Sequence, residues 1–171
     1  MKKLSYFPLT VAILLSSNAM ADTATGTLTV KATVQKSCAV NTPASGNASN
    51  AVIDFGTITS LSNNVDGSTE ATGGAKLTVL CTNTTPWNVA FNTGTNPDGT
   101  QRRMAGGTTE FIPYNLYSDA TRTTAINAGN AYSGTGNGQV QAYNIYGRIP
   151  AGTTLPSPGA YIDTVVMTVT Y

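Results

Sequence analysis

The sequence predicts an all-β sandwich, and three observations carry that prediction. First, 29 Thr, 15 Asn and 17 Gly dominate its 171 residues; Thr favours strands, whereas Asn and Gly favour the turns between them. Second, few Leu, Glu or Lys are available for helices, and no window after the first 21 residues sustains a helical period. Third, short alternating segments recur between clusters of Gly, Asn, Ser, Thr and Pro, which is the spacing of strands and turns.

Taken in chain order, the first segment stands apart. Residues 1–21 combine a positive start (Lys2, Lys3), an apolar stretch centred on residues 9–15 and the small-residue ending Ala19-Met20-Ala21. That is the pattern of a secretory signal peptide cleaved after Ala21. A membrane anchor is the alternative, but the apolar run falls short of the about 20 residues needed to span a bilayer. Its removal leaves 150 residues with 7 basic against 8 acidic side chains, a net charge of −1.

Strands are expected at 26–34, 38–41, 52–58, 76–81, 87–92, 111–117, 140–149 and 161–171, with turn-rich connections at 41–50, 63–74, 93–99 and 127–138. In the first strand Leu28, Val30, Ala32 and Val34 share one face, and Thr27, Thr29, Lys31 and Thr33 share the other. In the last, Val165, Met167, Val169 and Tyr171 share a face. A terminal strand without a closing partner leaves a sheet edge that invites pairing with another chain. The alternative is that the two terminal strands pair with each other and close an ordinary sandwich. The polar break Gln35-Lys36-Ser37 before Cys38 makes the first strand resemble an arm tethered ahead of the body.

Export gives the two cysteines a meaning. Cys38 and Cys81 would meet an oxidising compartment, where a pair of thiols normally becomes a disulfide. A redox-active pair would need the CxxC spacing, which is absent. There is no histidine, which removes Ser/His/Asp and Cys/His catalysis and His-containing zinc sites together. A whole-chain net charge of +1 without a basic run argues against nucleic acid as a partner. Asp66, Glu70 and Asp98 lack calcium-loop spacing, so no metal and no cofactor are expected. Asp163 and Arg148 are expected to pair with each other or to bind turn amides. Tyr114, Tyr117, Tyr143, Tyr146 and Trp87 could form a sugar-binding platform, but they are read here as core or interface area. The Asn47 and Asn83 sequons carry no weight in an Asn/Thr-rich chain.

A family resemblance rests on an ordered set of fragments. These are Asp54-Phe55-Gly56, the stretch from Tyr114 to Ala120, Tyr146-Gly147-Arg148-Ile149-Pro150, the stretch from Gly159 to Val165, and the ending Val166-Met167-Thr168-Val169-Thr170-Tyr171, together with both cysteines. Over essentially the whole mature chain the sequence resembles the spore coat protein U domain family, which includes the Csu-type subunits of archaic chaperone/usher pili. The resemblance implies an immunoglobulin-like β-sandwich lacking its final strand and completed by donor-strand complementation. It implies a signal peptide at 1–21, a donor arm at 22–36 and an incomplete pilin domain at 37–171. Leu28, Val30, Ala32 and Val34 would be the donor residues, with Ala32 at a shallow position. Val165, Met167, Val169 and Tyr171 would form one wall of the acceptor groove, and the segment from Cys38 would lie near the other. The implied partners are neighbouring pilin subunits, a periplasmic chaperone and an outer-membrane usher. The implied role is structural, in a surface fimbria that supports adhesion and biofilm formation. A coat or envelope protein of the same fold and a secreted adhesin or lectin are the alternatives; a hydrolase has no nucleophile, base and orienting group to name.

Overall fold

The structure, a computed structural model, describes residues 22–40, 51–70, 76–107 and 109–171. The expected signal peptide lies outside the described residues. Two compact units are distinguished, Met1–Thr33 and Val34–Tyr171. The described part of the first, residues 22–33, carries no secondary structure and is exposed throughout.

The described part of the second unit contains ten strands and no helix. They are β1 (Cys38–Val40), β2 (Val65–Ser68), β3 (Leu77–Cys81), β4 (Pro86–Phe91), β5 (Arg102–Gly106), β6 (Glu110–Tyr117), β7 (Gly129–Thr135), β8 (Val140–Tyr143), β9 (Tyr146–Ile149) and β10 (Met167–Thr170). All pairings are antiparallel, and the strands form three sheets ordered β1-β3-β8, β10-β4-β7 and β2-β9-β6-β5.

Alternation decides which residues enter the core. Leu77, Val79 and Cys81 of β3, Trp87, Val89 and Phe91 of β4, and Ile112, Tyr114 and Leu116 of β6 each point inward at every second position. With Leu61, Ile126, Ile145 and Ile149 they make one apolar cluster. Each fully buried aliphatic side chain contributes about 1.5 to 3 kcal/mol. Aromatic contacts join two of the sheets: the Trp87 ring stands edge-on to Tyr143 at 5.6 Å and Tyr132 lies 5.3 Å from Tyr143, while within its own sheet Tyr132 lies 6.1 Å from Phe91. Cys38 and Cys81 face each other in the β1–β3 ladder and are joined by a disulfide.

Several elements differ from the sequence expectation. Residues 26–34 and 52–58 form no strand despite their alternation. The expected strand 140–149 is two, since β8 pairs with β3 whereas β9 pairs with β2 and β6 in another sheet. Of the expected strand 161–171, only β10 is laddered, to β4. Two strands arise where turns were expected, β2 within 63–74 and β7 within 127–138, and β5 was not anticipated. The core also holds a charge: Arg102, 5% exposed, donates Nε and Nη2 to Asn92 O at 2.9 and 2.6 Å and Nη1 to Ile126 O at 2.5 Å. Burial lowers its pKa, opposed by the fields of Tyr114 and Asp163.

Candidate functional site

Among its described residues, the second unit is open along one side. A cavity of about 730 Å³ runs between two extended segments, residues 51–55 on one wall and 161–167 on the other. Phe91, Met104, Tyr114, Leu116 and Ile145 supply most of its floor. At one end lie Val40 of β1 and Met167 of β10; these two strands approach each other without forming a ladder. At the other end a second cavity of about 500 Å³ continues along 53–58 and 155–161.

The first wall owes its shape to two glycines. Gly67 of β2 and Gly147 of β9 are register partners. A Cβ on Gly67 would come within 2.8 Å of Ile53 and 3.1 Å of Phe55, and a Cβ on Gly147 within 2.8 Å of Phe55. The pair therefore provides a bare patch of sheet on which Ile53 and Phe55 rest. Ala51, Ile53 and Phe55 are half-buried, while Val52 and Asp54 face outward. The segment ends at Gly56, whose φ of +70° takes the chain out of extended geometry. Replacing Gly147 by Val should displace Phe55 and narrow the groove. The expected result is a loss of about 1 to 3 kcal/mol in chemical denaturation; an unchanged midpoint would show that the wall does not depend on this contact.

The second wall alternates strictly. Tyr161, Asp163, Val165, Met167 and Val169 are half-buried, and Ile162, Thr164, Val166, Thr168 and Thr170 are exposed. Its outer side is tied down at several points. Ala105 N donates to Ile162 O at 2.9 Å and Ile162 N donates back to Ala105 O at 3.1 Å. Asn92 N donates to Val166 O at 3.0 Å, and Val166 N donates to Asn92 Oδ1 at 2.8 Å. The Tyr161 hydroxyl lies 2.8 Å from both Glu110 Oε2 and Ser157 O, and its ring packs over Gly106. Glu110 also accepts the Ser157 amide and hydroxyl; its pKa is lowered, chiefly by the Ser157 hydroxyl.

Asp163 is the pin of this wall. It accepts the Tyr114 hydroxyl at 2.6 Å, the Thr95 amide at 2.8 Å, the Thr95 hydroxyl at 2.7 Å and the Thr164 amide at 2.9 Å. Burial pushes its pKa up, but the bonds from Tyr114, Thr95 and Thr164 outweigh that and leave it lowered. Tyr114 is pushed far above the usual phenol range, first by burial and then by the Asp163 carboxylate. Of the two interactions expected for Asp163, the turn amide is therefore the one found. Arg148 pairs instead with Asp66, its register partner across β2 and β9, at 2.7 and 2.9 Å.

The residues singled out in the sequence fall as follows. Val165 and Met167 line the groove. Val169 is half-buried against the core, and Tyr171 is 57% exposed. From the segment at Cys38, Val40 reaches the groove, but most of that wall is 51–55. Leu28 is 89% exposed, Val30 83% and Val34 80%, and Ala32 is exposed as well. Sequence reasoning missed Arg102, the glycine pair and Asp163 as a pin. Among the described residues no group of three or more Cys, Asp or Glu is placed to hold a metal ion.

An immunoglobulin-like β-sandwich with an apolar groove left open between two strand-like walls is the class that fold and site define. The chain belongs to the Spore Coat Protein U domain family, whose profile matches residues 24–168. Among solved structures it is similar to a chain of the CsuC–CsuE chaperone–tip adhesion subunit pre-assembly complex from archaic chaperone–usher Csu pili of Acinetobacter baumannii. That match has a TM-score of 0.56 and 23% identity, covering 81% of this chain and 40% of the other. A chain from the structure of a chaperone–usher pilus, described in terms of rod uncoiling, matches with a TM-score of 0.43 and 18% identity over 90% of this chain and 99% of that one. No curated protein matches the sequence.

Proposed function

We propose that the protein is a structural subunit of an archaic chaperone/usher fimbria that polymerises by donor-strand exchange. The observation that carries this reading is the open groove of about 730 Å³, lined by Ile53, Phe55, Val165 and Met167, in a chain whose N-terminal segment keeps Leu28 and Val30 exposed. The divisions 1–21, 22–36 and 37–171 are then signal peptide, donor arm and acceptor domain. Leu28, Val30, Ala32 and Val34 of one copy enter the groove of the next, completing its sheet by strand addition. Such contact is head-to-tail and does not close, so repetition makes a fibre. A periplasmic chaperone covers the groove before assembly, and an outer-membrane usher is where one strand replaces the other. The fibre at the cell surface serves adhesion and biofilm formation, and no cofactor takes part.

The test is deletion of residues 22–34 from the exported chain. The truncated protein should stay monomeric by size-exclusion chromatography, yet shorten the polymers of intact chains when mixed with them, because it accepts an arm without offering one. Polymers of the truncated protein alone would sink the proposal.

A further inference from the structure

We infer the register in which the arm of a second copy sits: parallel to residues 51–55, with Lys31 beside Asp54 and Ala32 on Phe55. The inference rests on the donor-strand reading and adds to it a direction, an alignment and a charge pair.

The faces come first. A strand laid between the two walls has its inward side chains in the groove and its outward ones level with Val52 and Asp54 on one wall and with Ile162, Thr164 and Val166 on the other. With Leu28, Val30 and Ala32 inward, the outward row of the arm is Thr27, Thr29, Lys31 and Thr33. A slip of one residue would turn the whole row over and is excluded by the apolar floor. Only slips of two residues and a reversal of direction remain.

Charge selects among the slips. Lys31 is the single charge in the outward row of the arm, and Asp54 is the single charge in the outward row of its wall. Neither forms an ion pair among the described residues, and the Asp54 carboxylate accepts the Gly56 amide at 2.8 Å. Opposite charges directly across a sheet attract, and no other alignment places Lys31 next to a carboxylate of this wall.

Size selects the direction. In the parallel arrangement Leu28 lies opposite Ala51, Val30 opposite Ile53, Ala32 opposite Phe55 and Val34 opposite Thr57, so that the smallest inward side chain of the arm meets the largest of the wall. Phe55 already fills that part of the groove, 6.4 Å from the Tyr114 ring, which is why a small residue fits there. Reversed, with Lys31 still beside Asp54, Val30 in place of Ala32 would press on Phe55.

The register can be read by crosslinking between full-length chains that each carry one added cysteine on the outward row. Lys31→Cys chains are mixed with Asp54→Cys chains during assembly and then oxidised; Lys31→Cys with Val52→Cys is the comparison. Neighbouring strands lie about 4.8 Å apart, within disulfide reach, whereas a position two residues along the wall lies about 8 Å away, outside it. Intermolecular disulfide on a non-reducing gel is expected for 31 with 54, at roughly 10-fold the yield for 31 with 52. Polymers that form but crosslink at 31 with 52, or at neither pair, overturn the register and leave the fibre reading intact. An unaltered chain that forms no polymers overturns both. As a second arm, Ala32→Phe should block entry into an unaltered groove, and Phe55→Ala in the accepting copy should restore it; equal entry in both cases would also overturn the register.

Discussion

Replacing Cys38 and Cys81 together by Ser is expected to lower the stability of the acceptor domain by about 4 kcal/mol, the chain-entropy value for the 43-residue separation they close. The pair is directly opposed in the β1–β3 ladder, so the loss falls first on β1, a strand of three residues. Without the crosslink those three rungs must hold Val40 at the end of the groove alone. Outside the ladder Thr82 still holds the segment: Ser37 N donates to Thr82 Oγ1 at 2.8 Å, Thr82 N donates to Ser37 O at 2.9 Å, and the Thr82 hydroxyl lies 3.1 Å from Ser37 O and 3.2 Å from Gln35 O. At about 1 kcal/mol each these hydrogen bonds do not replace the covalent link. Urea denaturation of the doubly substituted and unaltered chains, both without reductant, measures the difference. A shift below about 1 kcal/mol would show that the unfolded chain is already held close by other means.

Replacing Asp163 by Ala should cost about 2 to 4 kcal/mol, because it removes a charged acceptor from four donors around it and leaves the Tyr114 hydroxyl unpaired beside the core. The wall from Tyr161 to Val166 would lose its attachment to the Thr95 loop and to Tyr114 of β6, keeping only the Tyr161–Glu110 bond to that strand, so arm binding should fall with stability. Acid should reproduce part of the effect. The folded carboxyl titrates below its ordinary value of 3.8, so its contribution is complete above about pH 4 and is lost as pH falls through the lowered pKa. Asp66, Asp119 and Glu110 are lowered as well, by Arg148, by Thr121 and by Ser157 respectively, and share the acid sensitivity. Denaturation midpoints of the unaltered chain and of Asp163→Asn at pH 7 and pH 3 separate its share. The substituted chain should lose less on acidification; an equal loss would remove Asp163 from the account.

What could be read from the sequence was whatever alternation and punctuation express. Residues 161–170 alternate in burial as their side chains alternate in character, because one face meets the core and the other meets solvent. β3, β4 and β6 were legible for the same reason. What could not be read depended on partners far along the chain. β2 is written Val-Asp-Gly-Ser and looks like a turn, yet its glycine is there to make room for Ile53 and Phe55. β5 opens with two arginines and reads as surface, although Arg102 is buried on backbone carbonyls, an arrangement that leaves no spacing signal. The segment 140–149 alternates continuously, and only the change of partner between Tyr143 and Tyr146 divides it. For the groove, the Val165 wall was visible as a pattern, whereas Asp163 as its pin required knowing that the Thr95 loop folds back upon it.

The Cys38–Cys81 bond also has a mechanical consequence for a fibre of the proposed kind. Tension passing along such a fibre would enter each subunit through its arm at Val34, and four residues later it would meet a covalent tie to β3. Leu77 and Val79 of that strand are fully buried, so the pull is spread into the rigid body of the domain and cannot strip β1 away rung by rung. The seat of the arm then becomes the part that yields. In the double Ser variant, under the same pull, β1 would peel from β3 before the arm left its neighbour's groove, moving the fuse from the joint into the subunit.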